Sequence, residues 1–262
     1  MLRKALIVFT ILLCIFETSH VYGQGADAQG TQILEQVVAA AGGREACKQA
    51  ADFRASGTFS LYSAGEVMET GSATLLGAGL KRFRLTATLE NEIRTWLWKD
   101  GDGHLSARNG RPDPIGRHNL AVLEGITLPA EKVVELLDGH ARSVQLVDST
   151  TVDGKELYRI RVAQRPFDKK EVIALGRESV TTDILVDRQT FAIIAIEDTI
   201  YPNNHTREGF QHSVIYGDYH RVNGAQVPFS IKEQIAQQLV WGLQLESFEA
   251  NVNLKASDFQ LN

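Results

Sequence analysis

The sequence predicts an α+β fold dominated by antiparallel strands, and three observations carry that prediction. Residues 182–232 hold one strand-like segment after another with almost nothing helical between them. Residues 52–105 alternate apolar and polar side chains with a period of two, the period of a half-buried strand. Two stretches with helical periodicity, 31–41 and 129–138, stand before and between the strands. A sheet of this length must cover one face with something, and amphipathic helices are the available cover.

Residues 1–23 read as a secretory leader. Arg3 and Lys4 give a basic start, 6–16 an apolar run, and Val21-Tyr22-Gly23 a short exit. The run is shorter than the ~20 residues a membrane-spanning helix needs. Cys14 follows Leu13, where a lipid-attachment signal would place a small residue. The mature chain is therefore expected to be exported to the periplasm or secreted, and soluble. The formal charge of −5 becomes −6 without Arg3, Lys4 and Glu17, a balance that argues against nucleic acid as a partner. One cysteine, Cys47, then remains, so the monomer cannot build a disulfide framework. Stability must come from apolar burial, for which a single domain over 31–262 is long enough, with 24–30 as a disordered start.

In chain order, 31–41 places Ile33, Leu34, Val37, Val38 and Ala41 on one helical face, and Gly42-Gly43 ends the helix. Residues 44–49 form a second short helix carrying Cys47, a packing residue with no histidine near it in sequence. Strands follow at 52–62, 66–76, 80–89 and 93–99, joined by turns such as Ser63-Ala64-Gly65, with Asp100-Gly101-Asp102-Gly103 closing a further hairpin. That last segment lacks the later oxygen ligands of a calcium loop and reads as a turn. One or two helical turns fit 118–124. Pro129 opens a better helix that Gly139 ends. Strands resume at 143–148 and 157–163 around Val152-Asp153-Gly154-Lys155, and 165–181 reads as a charged loop. Strands at 182–187 and 191–196 flank Arg188-Gln189-Thr190, and 213–222 turns back through Asn223-Gly224 into 226–232. Alternation puts His212, Val214, Tyr216, Asp218 and His220 on one face. Pro228 cannot donate to a ladder, so it belongs near an edge or at a strand start. Trp241, Leu243 and Leu245 share a parity that Phe248, Ala250 and Val252 do not, so a bulge is expected near Ser247.

No catalytic or metal-binding spacing is present. His212 and His220 lie eight residues apart, about 27 Å along a strand, and cannot ligate one metal. Metalloprotease, nucleophile-elbow, phosphate-loop and paired-cysteine motifs are all missing. Asp183 and Asp187 share a parity but read as solvated hairpin residues. Asn204-His205-Thr206 fits a glycosylation sequon, and Tyr201-Pro202-Asn203-Asn204 fits a turn that needs no sugar to explain it. The sequence thus predicts a non-enzymatic protein without cofactor that encloses a hydrophobic ligand. Phe53, Phe59, Leu61, Phe83, Leu85, Trp96 and Trp98 are the candidate lining residues. The same side chains would equally fill a dry core, and periodicity does not separate the two.

Leader, amphipathic helix, strand meander, interrupting helix and further antiparallel strands occur in an order that resembles the LolA/LolB superfamily of periplasmic lipoprotein carriers and receptors. Lys81-Arg82-Phe83-Arg84-Leu85 is similar to that family's Phe-containing third strand, Lys99-Asp100-Gly101 to its hairpin, Asp258-Phe259 to its terminal motif, and 184–196 to its late hairpin. The resemblance implies an incomplete, half-open β-barrel covered by amphipathic helices. It also implies a cavity for lipid or lipoprotein acyl chains, and a role in lipoprotein or lipid transport to the outer membrane. Gly77-Ala78-Gly79-Leu80 stands where the carrier has a basic residue and a proline, so a different lid arrangement is implied. The expected partners are a hydrophobic ligand, lipid or acylated protein, and an envelope protein, with the chain itself a monomer. An envelope interaction or stress-sensor protein using the same fold without a bound lipid is the alternative.

Overall fold

The computed structural model describes residues 27–106, 111–152, 154–164, 180–202 and 208–261. The leader, the loop at 165–179 and the sequon lie outside them, as does the second half of the 201–204 turn.

Among the described residues, thirteen strands form one antiparallel sheet. They are β1 (Asp52–Ser63), β2 (Glu66–Ala78), β3 (Arg82–Thr88), β4 (Ile93–Lys99), β5 (Asp102–Ser106), β6 (Asp113–Ile115), β7 (Ala141–Val152), β8 (Lys155–Gln164), β9 (Val180–Asp187), β10 (Ile193–Ile200), β11 (Phe210–Val222), β12 (Ala225–Ile235) and β13 (Gln238–Ala250). The spatial order is β6-β5-β4-β3-β2-β1-β13-β12-β11-β10-β9-β8-β7. Two meanders, β1 to β6 and β7 to β13, thus meet where β1 pairs with β13, and the sheet stays open between β6 and β7. The short β6 was not expected from sequence, since three residues are too few for a periodicity to show.

Among the described residues four α-helices accompany the strands. α1 (Ala28–Ala40) begins three residues before the expected Thr31, because the Asp27 carboxylate caps it at the Gln29 N–H and also accepts the Leu146 N–H of β7. Residues 28–30 are therefore helical and not part of a disordered start. Ile33, Leu34, Val37 and Val38 are buried, as the helical period requires, and Gly30 lets the helix lie against the β7 backbone. α2 (Arg44–Ala50) follows, and α3 (Arg117–Leu123) and α4 (Pro129–Glu135) lie between β6 and β7, α4 continuing through a π-turn at Leu136–His140. Arg44 bridges Glu35 and Asp138 at 2.7 and 2.5 Å, and Lys48 reaches Asp138 at 3.0 Å, tying α1, α2 and the π-turn together at the surface.

Three local features decide where side chains point. The β1–β13 register slips between Ser56/Ser247 and Gly57/Leu245, which leaves Glu246 as an extra residue and produces the parity change expected near Ser247. Pro228 sits inside β12, not at the margin of the sheet. β13 pairs with β12 only from Ser230 onward, so the proline lies where that side of the strand is locally unpaired. Alternation along β11 fails at Asp218, whose φ of +50° is left-handed. His212, Val214 and Tyr216 are buried as expected, but Asp218 and His220 are exposed, and Tyr219 turns inward to donate to the Ile193 carbonyl at 2.6 Å.

An apolar cavity with a buried ion cluster in its wall

The concave side of the sheet is not fully packed. A cavity of ≈ 280 Å³ lies between the inner faces of β1 to β5, the ends of β10, β12 and β13, and α3 with the segment that follows it. Strands far apart in the sheet order, β5 and β10 among them, meet around it, which requires strong curvature. Asn119 of α3 fixes the far wall. Its amide donates to the Tyr201 carbonyl at 2.7 Å and accepts the Tyr201 N–H at 2.9 Å, so the helix spans from β5 to the end of β10.

Five of the seven expected lining residues, Leu61, Phe83, Leu85, Trp96 and Trp98, come together here. They are joined by Leu75, Leu105, Ile115, Leu123, Ile126, Ile200, Ile235, Val240, Trp241 and Leu243. The other two are displaced by packing. Phe59 lies fully buried beneath the rings of Trp96 and Trp241, at 5.3 and 5.6 Å between centroids, and supports the wall without reaching the cavity. Phe53 stands directly across from Gly77, where a Cβ would come within 2.1 Å of its ring. There it stacks on Phe248 at 4.7 Å and borders a separate, much smaller recess. Phe83 and Trp98 stack at 4.2 Å, with the indole N–H donating to the Leu80 carbonyl. All three tryptophans of the chain, Trp96, Trp98 and Trp241, line the cavity.

Exposure shows where the cavity opens. Leu61, Arg94, Ile235 and Val240 are half-buried and lie at the strand ends next to the turns at 64–65, 89–92 and 236–237, and Ile200 is half-buried at the end of β10. Leu75, Phe83, Trp98 and Leu243, further along their strands, are buried. The mouth is therefore at the hairpin end. Val67, Met68, Ile93 and Phe210, large apolar side chains at 49–67% exposure, stand at that same end of the sheet.

A buried ion cluster that no sequence motif announces has one member, Glu233, in the wall near this mouth. Asp198 of β10, His212 of β11 and Glu233 of β12 point inward from three adjacent strands. The imidazole Nδ1 lies 2.8 Å from Asp198 Oδ1, and Nε2 lies 2.9 Å from Glu233 Oε1. His212 is completely buried, Asp198 and Glu233 nearly so. Burial opposes the imidazolium, but the two carboxylates outweigh it and push His212 up to about 9. Two buried anions thus enclose one buried cation, an arrangement stable only because each ring nitrogen has a partner. The ring nitrogens point opposite ways and both are occupied, so the group neither chelates one metal nor activates a hydroxyl. No group of three metal-ligating side chains is found among the described residues. Nearby, Lys132 is buried and donates to the Val122 carbonyl at 3.0 Å, and burial holds its amine below the ordinary lysine range. Burial also pushes Glu124 and Glu131 up to about 7.

The acidic pair singled out in the sequence has a structural role. Asp183 binds Arg159 and Arg161, and Asp187 accepts the N–H groups of Gln189 and Thr190 in the turn after β9. A second cavity of ≈ 370 Å³ lies between α1, α4, that turn and β11, with Lys155, Asp187, Asp218 and Gln226 in its more polar wall.

No protein-family model matches the sequence, and curated proteins give no match. Solved structures do. A protein domain from Vibrio parahaemolyticus described as outer membrane lipoprotein-sorting aligns with a TM-score of 0.52 at 13% identity, covering 88% of this chain and 96% of that one. A DUF1329 family protein from Desulfovibrio piger aligns at 0.50 and 12% identity, covering 88% and 99%. A LolA superfamily protein from Nitrosomonas europaea aligns at 0.49 and 13% identity, covering 83% and 97%. The first two alignments establish that the chain has the LolA-like fold its element order resembles.

Proposed function

We propose that this protein is an exported, periplasmic binder of a hydrophobic ligand, lipid or acyl chain, which it holds between the curved sheet and the helices. In this reading the sheet acts as a half-open barrel, with α3 and the segment after it as its cover. The observation that carries the reading is the cavity itself. Its ≈ 280 Å³ is just below the roughly 300–1,000 Å³ usual for small-molecule sites, and its wall is mostly aliphatic and aromatic. A dry core would have closed such a space, since unfilled volume costs about 24 cal/mol per Å³. The fold shared with a lipoprotein-sorting domain supports the same class of ligand. The amino-terminal 23 residues support export, and no helix among the described residues is long and apolar enough to cross a membrane.

A second reading, docking on an envelope partner, is favoured by Val67, Met68, Ile93 and Phe210, which expose apolar surface at the mouth where a ligand would be handed over. The two readings are compatible. The test is mass spectrometry of organic extracts from the exported protein purified without detergent, beside an unrelated exported control. A stoichiometric amphiphile that is lost in a folded Trp96→Glu variant is expected. If nothing co-purifies and added alkyl amphiphiles do not bind, ligand carriage is refuted and partner docking remains.

A further inference from the structure

The cavity is apolar except at a few points, and one of those points is unusual. Glu233 is nine-tenths buried, yet only one of its oxygens is used inside the protein. Oε1 meets His212 Nε2 at 2.9 Å, while Oε2 makes no hydrogen bond among the described residues, and Glu233 lines the cavity. A carboxylate is an acceptor only, so whatever comes to Oε2 must bring an N–H or O–H. The apolar wall offers that oxygen no donor, so a ligand head that brings one gains a hydrogen bond to a charged acceptor. Glu233 stands opposite Trp241, close to the end of β12 and thus near the mouth, where the head of an amphiphile lies when its chain fills the depth.

We propose that Glu233 reads the ligand's head, selecting amphiphiles that carry a hydrogen-bond donor there, an ammonium above a hydroxyl, and rejecting carboxylates. His212 and Asp198 are positioning residues. The imidazole holds Oε1, so the carboxylate cannot rotate away, and Asp198 fixes the imidazole from its other side. With His212 protonated the three groups carry one net negative charge, which favours a cationic head. The other charges nearby do not reverse this sign. Arg94, in the same wall, is paired with Glu92, and Lys132 interacts with Asp198 without lining the cavity. The inference rests on the ligand-binding reading above and adds the head class to it.

Decylammonium, decanol and decanoate, each below its micelle concentration, are titrated into the mature protein after lipid removal, with intrinsic fluorescence as the readout because every tryptophan lines the cavity. Decylammonium is expected to bind roughly tenfold or more tighter than decanoate, with decanol between them, from a hydrogen bond to a charged acceptor. Glu233→Gln should bring the three within about threefold of one another while still binding the chain. Glu66→Gln, which removes an exposed charge at the hairpin tip, should leave the ranking intact and so exclude general electrostatic attraction. The wild-type ranking is informative even if the Glu233 variant misfolds. Equal affinities, tighter binding of decanoate, or an unchanged ranking in a folded Glu233→Gln protein would overturn the proposal while leaving ligand carriage standing. Failure of all three probes to bind would overturn both.

Discussion

Stability should fall as pH rises from 7 to 9, and the fall should belong to His212. Its folded pKa of about 9 lies above the unfolded value near 6.5 because Asp198 and Glu233 outweigh burial. A raised pKa contributes stability that is complete below the unfolded value and is lost as pH climbs through the folded one. At about 1.4 kcal/mol per pH unit, the window from 7 to 9 should remove on the order of 2–3 kcal/mol. Lys132, held below the ordinary lysine range by burial, acts the other way as pH rises, so the comparison with a variant, and not the wild-type slope alone, isolates the group. Glu124 and Glu131, raised to about 7, act in the same direction as His212 but mainly between 4.5 and 7, and Cys47, raised to about 11, acts above 9. Urea unfolding at half-unit pH steps measures the effect. The Asp198→Asn/Glu233→Gln double variant supplies the control. With both carboxylates gone only burial acts on the imidazole, its pKa drops below 6.5, and its stability contribution is then lost as pH falls. That variant should lack the fall from 7 to 9. An equal slope in the wild type and the double variant would refute the assignment of a buried imidazolium.

Three further outcomes follow from packing. Gly57→Ala would place a Cβ 2.1 Å from the Gln244 carbonyl at the β1–β13 bulge, so it should lower stability by at least about 1–3 kcal/mol, read from the urea midpoint. Asn119→Ala removes both bonds to Tyr201 and should cost roughly 2 kcal/mol in global stability; hydrogen exchange should quicken in α3 and at the end of β10 before it does elsewhere. Cys47 is buried with its thiol held above the ordinary range, so a disulfide reagent at pH 8 should label it at least ~100-fold more slowly than in denatured protein.

The strands were legible because period-two alternation and turn residues such as Asn223-Gly224 are local signals, and even the bulge at Glu246 appears as a parity change. Helix α1 was legible over its buried stripe but not at its start, since the capping of Asp27 depends partly on β7, far away in sequence. The face of β11 beyond Asp218 was misread because a left-handed φ at a non-glycine residue leaves no mark on alternation. Five lining residues could be named because each is a large apolar side chain at an inward parity. Phe53 and Phe59 share that signature but are diverted by what they pack against, Gly77 and Phe248 for one, two indoles for the other. The ion cluster has no local signature at all. Residues 198, 212 and 233 meet only through the register of three strands, and the single available clue was one charged or titratable residue at the buried parity of each.

Ligand binding between sheet and helices requires contact between an alkyl chain and the cavity wall, which can be measured directly. Decanol brominated at its far end quenches tryptophan only at close range, and Trp96, Trp98 and Trp241 all face the cavity. Saturable quenching of most of the emission at one ligand per chain is expected. Quenching that rises linearly without saturation, or none below the micelle concentration, would show that the space between sheet and helices does not admit a chain.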